Sequence, residues 1–288
     1  MNEVRPRRSV LFMPGSNARA LEKARTLKAD ALILDLEDAV APDAKEMARA
    51  QVCAAVRAGF GRREVIVRIN ALSTPWGTKD LLAAAAAGPD AILLPKVSTQ
   101  GDLIAVEQRL AGAGRALALW AMVETPLAIL NIAALAAAGG RLACLLMGTN
   151  DLIKGMRGVH TEDRLNLAAA LGLSVLAARA HGLAIIDGVY NDIANSERFA
   201  ASCAQGRSFG FDGKTLIHPS QIEPCNRAFA PSPEEVETAK QIIAAFARPE
   251  NKDKGAIKLD GRMVELLHAE SARRTVALAE AIAALKGD

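Results

Sequence analysis

Apolar runs of four to eight residues recur along the chain, each followed by a longer stretch with the three-to-four-residue spacing of an amphipathic helix. The runs fall at 10–13, 31–34, 65–69, 91–94, 116–123, 142–147, 183–186 and, more weakly, 213–217. Helical patterns cover 18–28, 44–57, 79–87, 103–110, 127–138, 165–181, 197–208 and 221–229. Eight such alternations predict an α/β chain folded as a closed (β/α)8 TIM barrel. An open doubly wound sheet is the rival, but the first strand runs into Met13-Pro14-Gly15-Ser16-Asn17-Ala18, which lacks a glycine-rich phosphate cradle. After Pro231-Ser232-Pro233 the pattern predicts a helix at 234–247, a polar linker at 248–258 and a last helix at 263–285. The expected organisation is a catalytic barrel over 1–230 and a C-terminal helical extension over 231–288, an arm for its own barrel or a neighbour's.

Polar residues follow directly on the C-terminal ends of the apolar runs, the end of a barrel where active sites are built. Run two leads into Asp35, Glu37 and Asp38, run three into Arg68 and Asn70, and run four into Lys96. Run five leads into Glu124, run six into Asn150 and Asp151, run seven into Asp187, and run eight carries Lys214 and leads into His218. The opposite ends are plainer, with Asp30, Arg63, Gly88-Pro89 and Gly114. Strands must end in solvated residues in any case, but that requirement predicts the same chemistry at both ends. Carboxylates converging without Cys or His suit a hard divalent cation such as Mg²⁺, with Glu124 and Asp151 on adjacent staves as the candidates. Zinc is disfavoured because His160, His181, His218 and His268 show no ligand spacing. Lys96 reads as an ion-pair partner, since carboxylate neighbours hold an amine protonated and unreactive.

Composition narrows the function classes. The 288 residues are 51% hydrophobic and 23% charged, enough to bury a full core. Lys+Arg 35 against Asp+Glu 32, with 3% aromatics, gives no polyanion-binding surface, so nucleic acid is not an expected partner. Cys53, Cys144, Cys203 and Cys225 form no C-x-x-C pair and read as reduced, buried thiols. No signal-peptide core follows the basic start and no stretch reads as a membrane span, so the expectation is a cytoplasmic protein.

Several motifs in order carry a family resemblance over nearly the whole chain. They are Arg8-Ser9-Val10-Leu11-Phe12-Met13-Pro14-Gly15, Leu34-Asp35-Leu36-Glu37-Asp38-Ala39-Val40 with Lys45 and Arg49, and Val67-Arg68-Ile69-Asn70. Leu94-Pro95-Lys96, Glu124-Thr125-Pro126, Gly148-Thr149-Asn150-Asp151, Ile186-Asp187-Gly188, Gly210-Phe211-Asp212-Gly213-Lys214 and Ile217-His218-Pro219 follow. The chain resembles the citrate lyase β-subunit-like (CitE-like) proteins of the HpcH/HpaI aldolase/citrate lyase superfamily. The resemblance implies a TIM barrel that binds Mg²⁺ through Glu124 and Asp151, commonly assembled as a homotrimer or hexamer. It implies that Arg68 contacts substrate and stabilises developing negative charge. Glu124 also touches substrate, and Phe12, Lys23 and His218 line the thioester-carrier side. Glu37 and Asp38 hold metal-bound waters.

The implied activity is a Mg²⁺-dependent carbon–carbon lyase for a short 3-hydroxyacyl-CoA, such as malyl-CoA or citramalyl-CoA, giving acetyl-CoA and a 2-keto acid. Alternatives are a citrate lyase β subunit acting on an acyl-carrier-protein thioester, or a non-catalytic CoA- or metabolite-binding barrel. Lyase relatives place an aspartate base in a C-terminal L-D-G-K-M-I-D motif. This chain reads Leu259-Asp260-Gly261-Arg262-Met263-Val264-Glu265, so Glu265 stands where the base is expected, one methylene longer, and by the same resemblance serves a neighbouring barrel. The other reading of Glu265 is support for the first turn of the final helix.

Overall fold

The structure is a computed structural model and describes residues 4–112, 117–251 and 254–286. Gly114, Ala116 at the expected start of run five, and Lys252 and Asp253 in the expected linker lie outside the described residues. The chain divides into two compact units, Arg7–Phe229 and a second that comprises the described residues before Arg7 and those from Ala230 onward.

The first unit is a closed parallel barrel. Its strands are β1 (Ser9–Pro14), β2 (Ala31–Asp35), β3 (Glu64–Arg68), β4 (Ala91–Leu94), β5 (Ala118–Val123), β6 (Leu142–Met147), β7 (Ala184–Asp187) and β8 (Gly213–Leu216). They pair in sequence order, and β8 returns to β1 with Ser9 opposite Lys214. The predicted TIM barrel is therefore the observed fold. Helices cover its outer face, so the strands are buried on both sides and read as near-continuous apolar runs.

Strand parity then decides what reaches the axis, because successive side chains alternate between faces. Leu32, Leu34, Val65, Val67 and Ile92 point outward into the layer shared with the helices. Val10, Ile33, Ile66, Leu93, Trp120, Met122, Cys144 and Leu146 fill the interior. Extending the inward column by one more step along each strand reaches Phe12 on β1, Asp35 on β2, Arg68 on β3 and Glu124 just after β5. The N-terminal end is sealed by Arg7, which donates to Glu64 at 2.6 and 2.8 Å and lies 5.2 Å from the Trp120 ring centroid. Arg8 adds a second buried fork, to Asp30 at 2.7 and 2.8 Å.

Two local readings change. The helical pattern at 127–138 is broken into Pro126–Leu130 and Ile132–Ala136, where the Asn131 side chain turns out to donate to the Ser98 carbonyl at 2.9 Å. A helix over Thr149–Met156 follows β6, ahead of the one expected at 165–181.

The second unit holds helix Pro233–Ala247, opened by a Ser232/Glu235 capping box, and helix Leu266–Lys286. Between them lies an antiparallel hairpin, β9 (Ala256–Leu259) and β10 (Arg262–Glu265), in place of the expected linker and helix start. Its turn is Asp260-Gly261, both at positive φ (48° and 79°), the backbone that two-residue hairpins demand. Ile257 and Val264, paired across it, are buried with Phe246 and Ala269. Among the described residues no helix is long and apolar enough to cross a membrane.

Candidate active site

At the C-terminal mouth of the barrel Arg68 is held from two sides. Its Nε and Nη2 donate to Asp35 Oδ1 and Oδ2 at 2.7 and 2.6 Å, and its guanidinium stacks 4.8 Å from the Phe12 ring centroid. Nη1 is left toward the mouth, 3.0 Å from Glu37 Oε2 and 3.6 Å from Asp38 Oδ2. Burial would lower the Arg68 pKa, but Asp35, Glu37 and Asp38 outweigh it and keep the group charged. The fork is thus fixed in orientation before any ligand arrives.

Asp35 has a second task. Its carboxylate also accepts the Glu37 and Ala39 amides at 2.9 and 3.0 Å, which curls the chain after β2 and turns Glu37 into the mouth. The carbonyls of that turn are tied down by Lys45, whose ammonium donates to Leu36 and Glu37 oxygens at 2.9 and 2.7 Å, and by Asn70, which donates to Leu36 at 2.8 Å. Asp80 accepts from Asn70 and from Arg49, both at 2.6 Å, and so anchors this support to the helix layer.

Glu124, 2% exposed, accepts the Lys96 amide at 2.7 Å. Gly148, after β6, makes room for it: a Cβ there would sit 2.4 Å from Glu124 Cβ and 2.5 Å from Oε2. Burial first, with Glu37 and Asp151 adding to it, pushes the Glu124 carboxyl up to about 7 against the stabilising Lys96 amide. Burial likewise raises Glu37 against the pull of Arg68 and Lys96. The Lys96 ammonium lies 2.8 Å from Glu37 Oε1 and 3.6 Å from Asp151 Oδ2. Burial acts to lower its pKa, yet Glu37 and the other carboxylates raise it, which agrees with an ion-pair role and leaves no free amine for nucleophilic attack.

Of the residues expected in the site, Phe12, Glu37, Asp38, Arg68, Glu124 and Asp151 are therefore linked into one cluster through Arg68 and Lys96. Lys23 is exposed on helix Ala18–Ala24, and His218, exposed beyond β8, makes a local contact from Nδ1 to Ser220 Oγ at 2.7 Å. Glu265 ends β10 in the second unit, and its amide donates to His268 Nδ1 at 2.9 Å. Asp187 and Lys214 form a separate buried pair at 2.7 Å, joined by Arg164, also at 2.7 Å. Against the cost of burial, Lys214 and Arg164 hold the Asp187 carboxyl below its ordinary value. The supports Lys45, Asp80 and Gly148 were not separated as site residues by sequence reasoning. A cleft of about 360 Å³, lined by Asn70, Lys96, Val106 and Arg109 among others, shares Lys96 with the cluster.

The donor set fits a divalent cation. Asp35, Glu37, Asp38, Glu124 and Asp151 face Lys45, Arg68 and Lys96, two more negative groups than positive. Glu37 Oε2 is buried at ion-pair distance from Arg68 yet has no aligned hydrogen bond. No group of three or more His, Cys, Asp or Glu side chains is arranged to hold an ion among the described residues. One or two carboxylates completed by water and substrate oxygens is the usual Mg²⁺ arrangement.

Residues 8–219 match the family model described as HpcH/HpaI aldolase/citrate lyase. The chain is 52% identical over 286 residues, 99% of each chain, to the (3S)-malyl-CoA thioesterase of Cereibacter sphaeroides (strain KD131 / KCTC 12085). It is 34% identical to citrate lyase subunit beta of Escherichia coli (strain K12), over 96% of this chain and 95% of that one. Among solved structures it is similar to protein CitE from Mycobacterium tuberculosis in complex with magnesium, acetoacetate and coenzyme A. That likeness has a TM-score of 0.75 and 30% identity, over 96% of this chain and 99% of the other. With the barrel, the motifs and these matches in agreement, the chain belongs to the HpcH/HpaI aldolase/citrate lyase family.

Proposed function

We propose that this protein is a Mg²⁺-dependent carbon–carbon lyase that cleaves, or in reverse forms, a short 3-hydroxyacyl-CoA such as malyl-CoA or citramalyl-CoA. The observation that carries this reading is a buried, preoriented Arg68 fork beside a carboxylate cluster with excess negative charge. The names of the relatives support a short acid carried on a thioester, and the complex of the structural neighbour supports magnesium and coenzyme A as ligands. Glu124 and Asp151 would hold the ion, with Glu37 and Asp38 on its waters. When bound, Mg²⁺ supplies positive charge to the carboxylate and carbonyl oxygens of the keto acid.

Cleavage removes the proton of the 3-hydroxyl, breaks the bond between C2 and C3, and leaves an aldehyde or ketone on the acid and an enolate on the thioester. Protonation of that enolate at carbon gives acetyl-CoA. Arg68, already locked by Asp35 and stacked on Phe12, meets developing negative charge with little reorganisation. Glu265 is the proposed proton carrier. Phe12, Lys23 and His218 are assigned to the thioester side. The reading includes a cytoplasmic homotrimer or hexamer and a division of labour between barrel and extension. Four buried free cysteines support a reducing compartment. Leu130 and Leu176, 83% and 69% exposed, support a subunit contact.

A second reading is hydrolysis of the same thioester, favoured by the name of the 52%-identical relatives. Water then adds across the C–S bond, and malate and free CoA leave. The full chain should be incubated with (3S)-malyl-CoA and Mg²⁺ while glyoxylate and free thiol are followed together. Glyoxylate and acetyl-CoA in equal amounts without thiol support the lyase. Thiol and malate without glyoxylate refute it in favour of hydrolysis, and cleavage seen only on an acyl carrier protein refutes it in favour of a citrate-lyase role. Turnover that survives exhaustive chelation refutes the metal assignment.

A further inference from the structure

The proposed Mg²⁺ would enter a cluster that already holds a cation of the chain's own. Lys96 touches three of the five carboxylates of the mouth: its amide binds Glu124, and its ammonium sits between Glu37 and Asp151. Lys96 does both from a left-handed backbone, φ 54°, an uncommon conformation for a residue with a Cβ, and such strain concentrates where function demands a particular geometry. The two ammonium contacts are unequal. Glu37 is hydrogen-bonded at 2.8 Å, whereas Asp151 at 3.6 Å is held by charge alone, and its side chain is 34% exposed.

We infer that Lys96 is a resident counter-cation that keeps the carboxylate cluster assembled without a divalent ion, yields Asp151 when the ion enters, and thereby sets how tightly that ion is held. The inference rests on the divalent-ion reading above. Asp151 is the ligand released because its contact is the longer and wetter one, while Glu37 stays paired with both Lys96 and Arg68. A +1 charge held a few ångströms from a +2 ion repels it even when strongly screened, so Lys96 weakens ion binding as it orders the site. The Glu124 contact comes from the backbone and survives replacement of the Lys96 side chain. Charge and geometry can thus be separated by mutation.

The test is calorimetric titration of Mg²⁺ into the full-length chain and into Lys96→Met, Lys96→Gln and Lys96→Arg, without substrate. Lys96→Met and Lys96→Gln should bind Mg²⁺ about tenfold more tightly or better. Lys96→Arg, which keeps the charge, should stay within about threefold of the parent. Two neutral variants guard against one failing to fold, and melting curves verify folding. Unchanged or weaker binding in the folded neutral variants, with the parent binding normally, overturns this inference and leaves the metal reading standing. A parent chain that binds no divalent ion overturns both.

Discussion

Replacing Glu124 by glutamine should stabilise the metal-free protein at pH 8 while disabling it. Burial beside Glu37 and Asp151 raises this carboxyl from its ordinary 4.5 to about 7 in the folded chain. Between those two values the folded state holds a proton that the unfolded state has released, so stability falls as pH rises through the window. At about 1.4 kcal/mol per tenfold change, the full penalty is about 3 kcal/mol at pH 8 and under about 1 kcal/mol at pH 5. Glutamine is never charged and keeps an oxygen for the Lys96 amide, so it escapes this penalty. Urea denaturation in EDTA should therefore show Glu124→Gln gaining on the parent as pH is raised, whatever constant offset the amide brings. Mg²⁺ at a hundred times its Kd should close most of that gap, since it adds about 2.7 kcal/mol to a chain that binds it and little to one that has lost the proposed ligand. A stability gap independent of pH between 5 and 8, or one that moves in the parent's favour, would refute the claim that Glu124 is held under electrostatic stress.

Two further substitutions address the chemistry. Arg68→Lys should keep the fold and Mg²⁺ binding but lose at least about a hundredfold in kcat, because an ammonium cannot grip both Asp35 oxygens and still present a fixed edge to substrate; parent-like turnover would make Arg68 a structural ion pair. Glu265→Gln should retain thioester binding by calorimetry yet lose at least about a hundredfold in turnover, and a variant with parent-like kcat would remove Glu265 from proton transfer.

The barrel was legible because an all-parallel sheet covered on both faces leaves compact apolar runs separated by helical periodicity, and its mouth was legible because charges follow those runs at one end only. What hydrophobicity did not reveal was parity. With β2 buried throughout, nothing in Ala31–Asp35 distinguishes the inward Ile33 from the outward Leu34, so the convergence of Asp35, Arg68 and Glu124 on one axis had to come from register. A signal was available: charged residues at the ends of otherwise apolar strands must point where polar partners await them. The tail hairpin was also announced, by Asp260-Gly261 between alternating apolar positions, but polar Lys254 and Lys258 made the segment look like a linker. Lys45 and Gly148 stood in the motifs of the resemblance, but their roles, support and room for a neighbour, come only from contacts.

The sealed floor of the barrel dictates an order of traffic. With Arg7, Glu64 and Trp120 closing one end and side chains filling the shaft, whatever reacts over Arg68 and Glu124 enters and leaves by one doorway. In the proposed cleavage, a single doorway makes the products leave in order if the small acid binds deepest, with the bulky thioester between it and solvent. Departure is then sequential, thioester first. The acid, last to go, meets the empty enzyme on its return and should compete with substrate, whereas acetyl-CoA should give mixed inhibition. Steady-state product inhibition reads that difference, and the opposite pattern would mean that the acid escapes past the thioester.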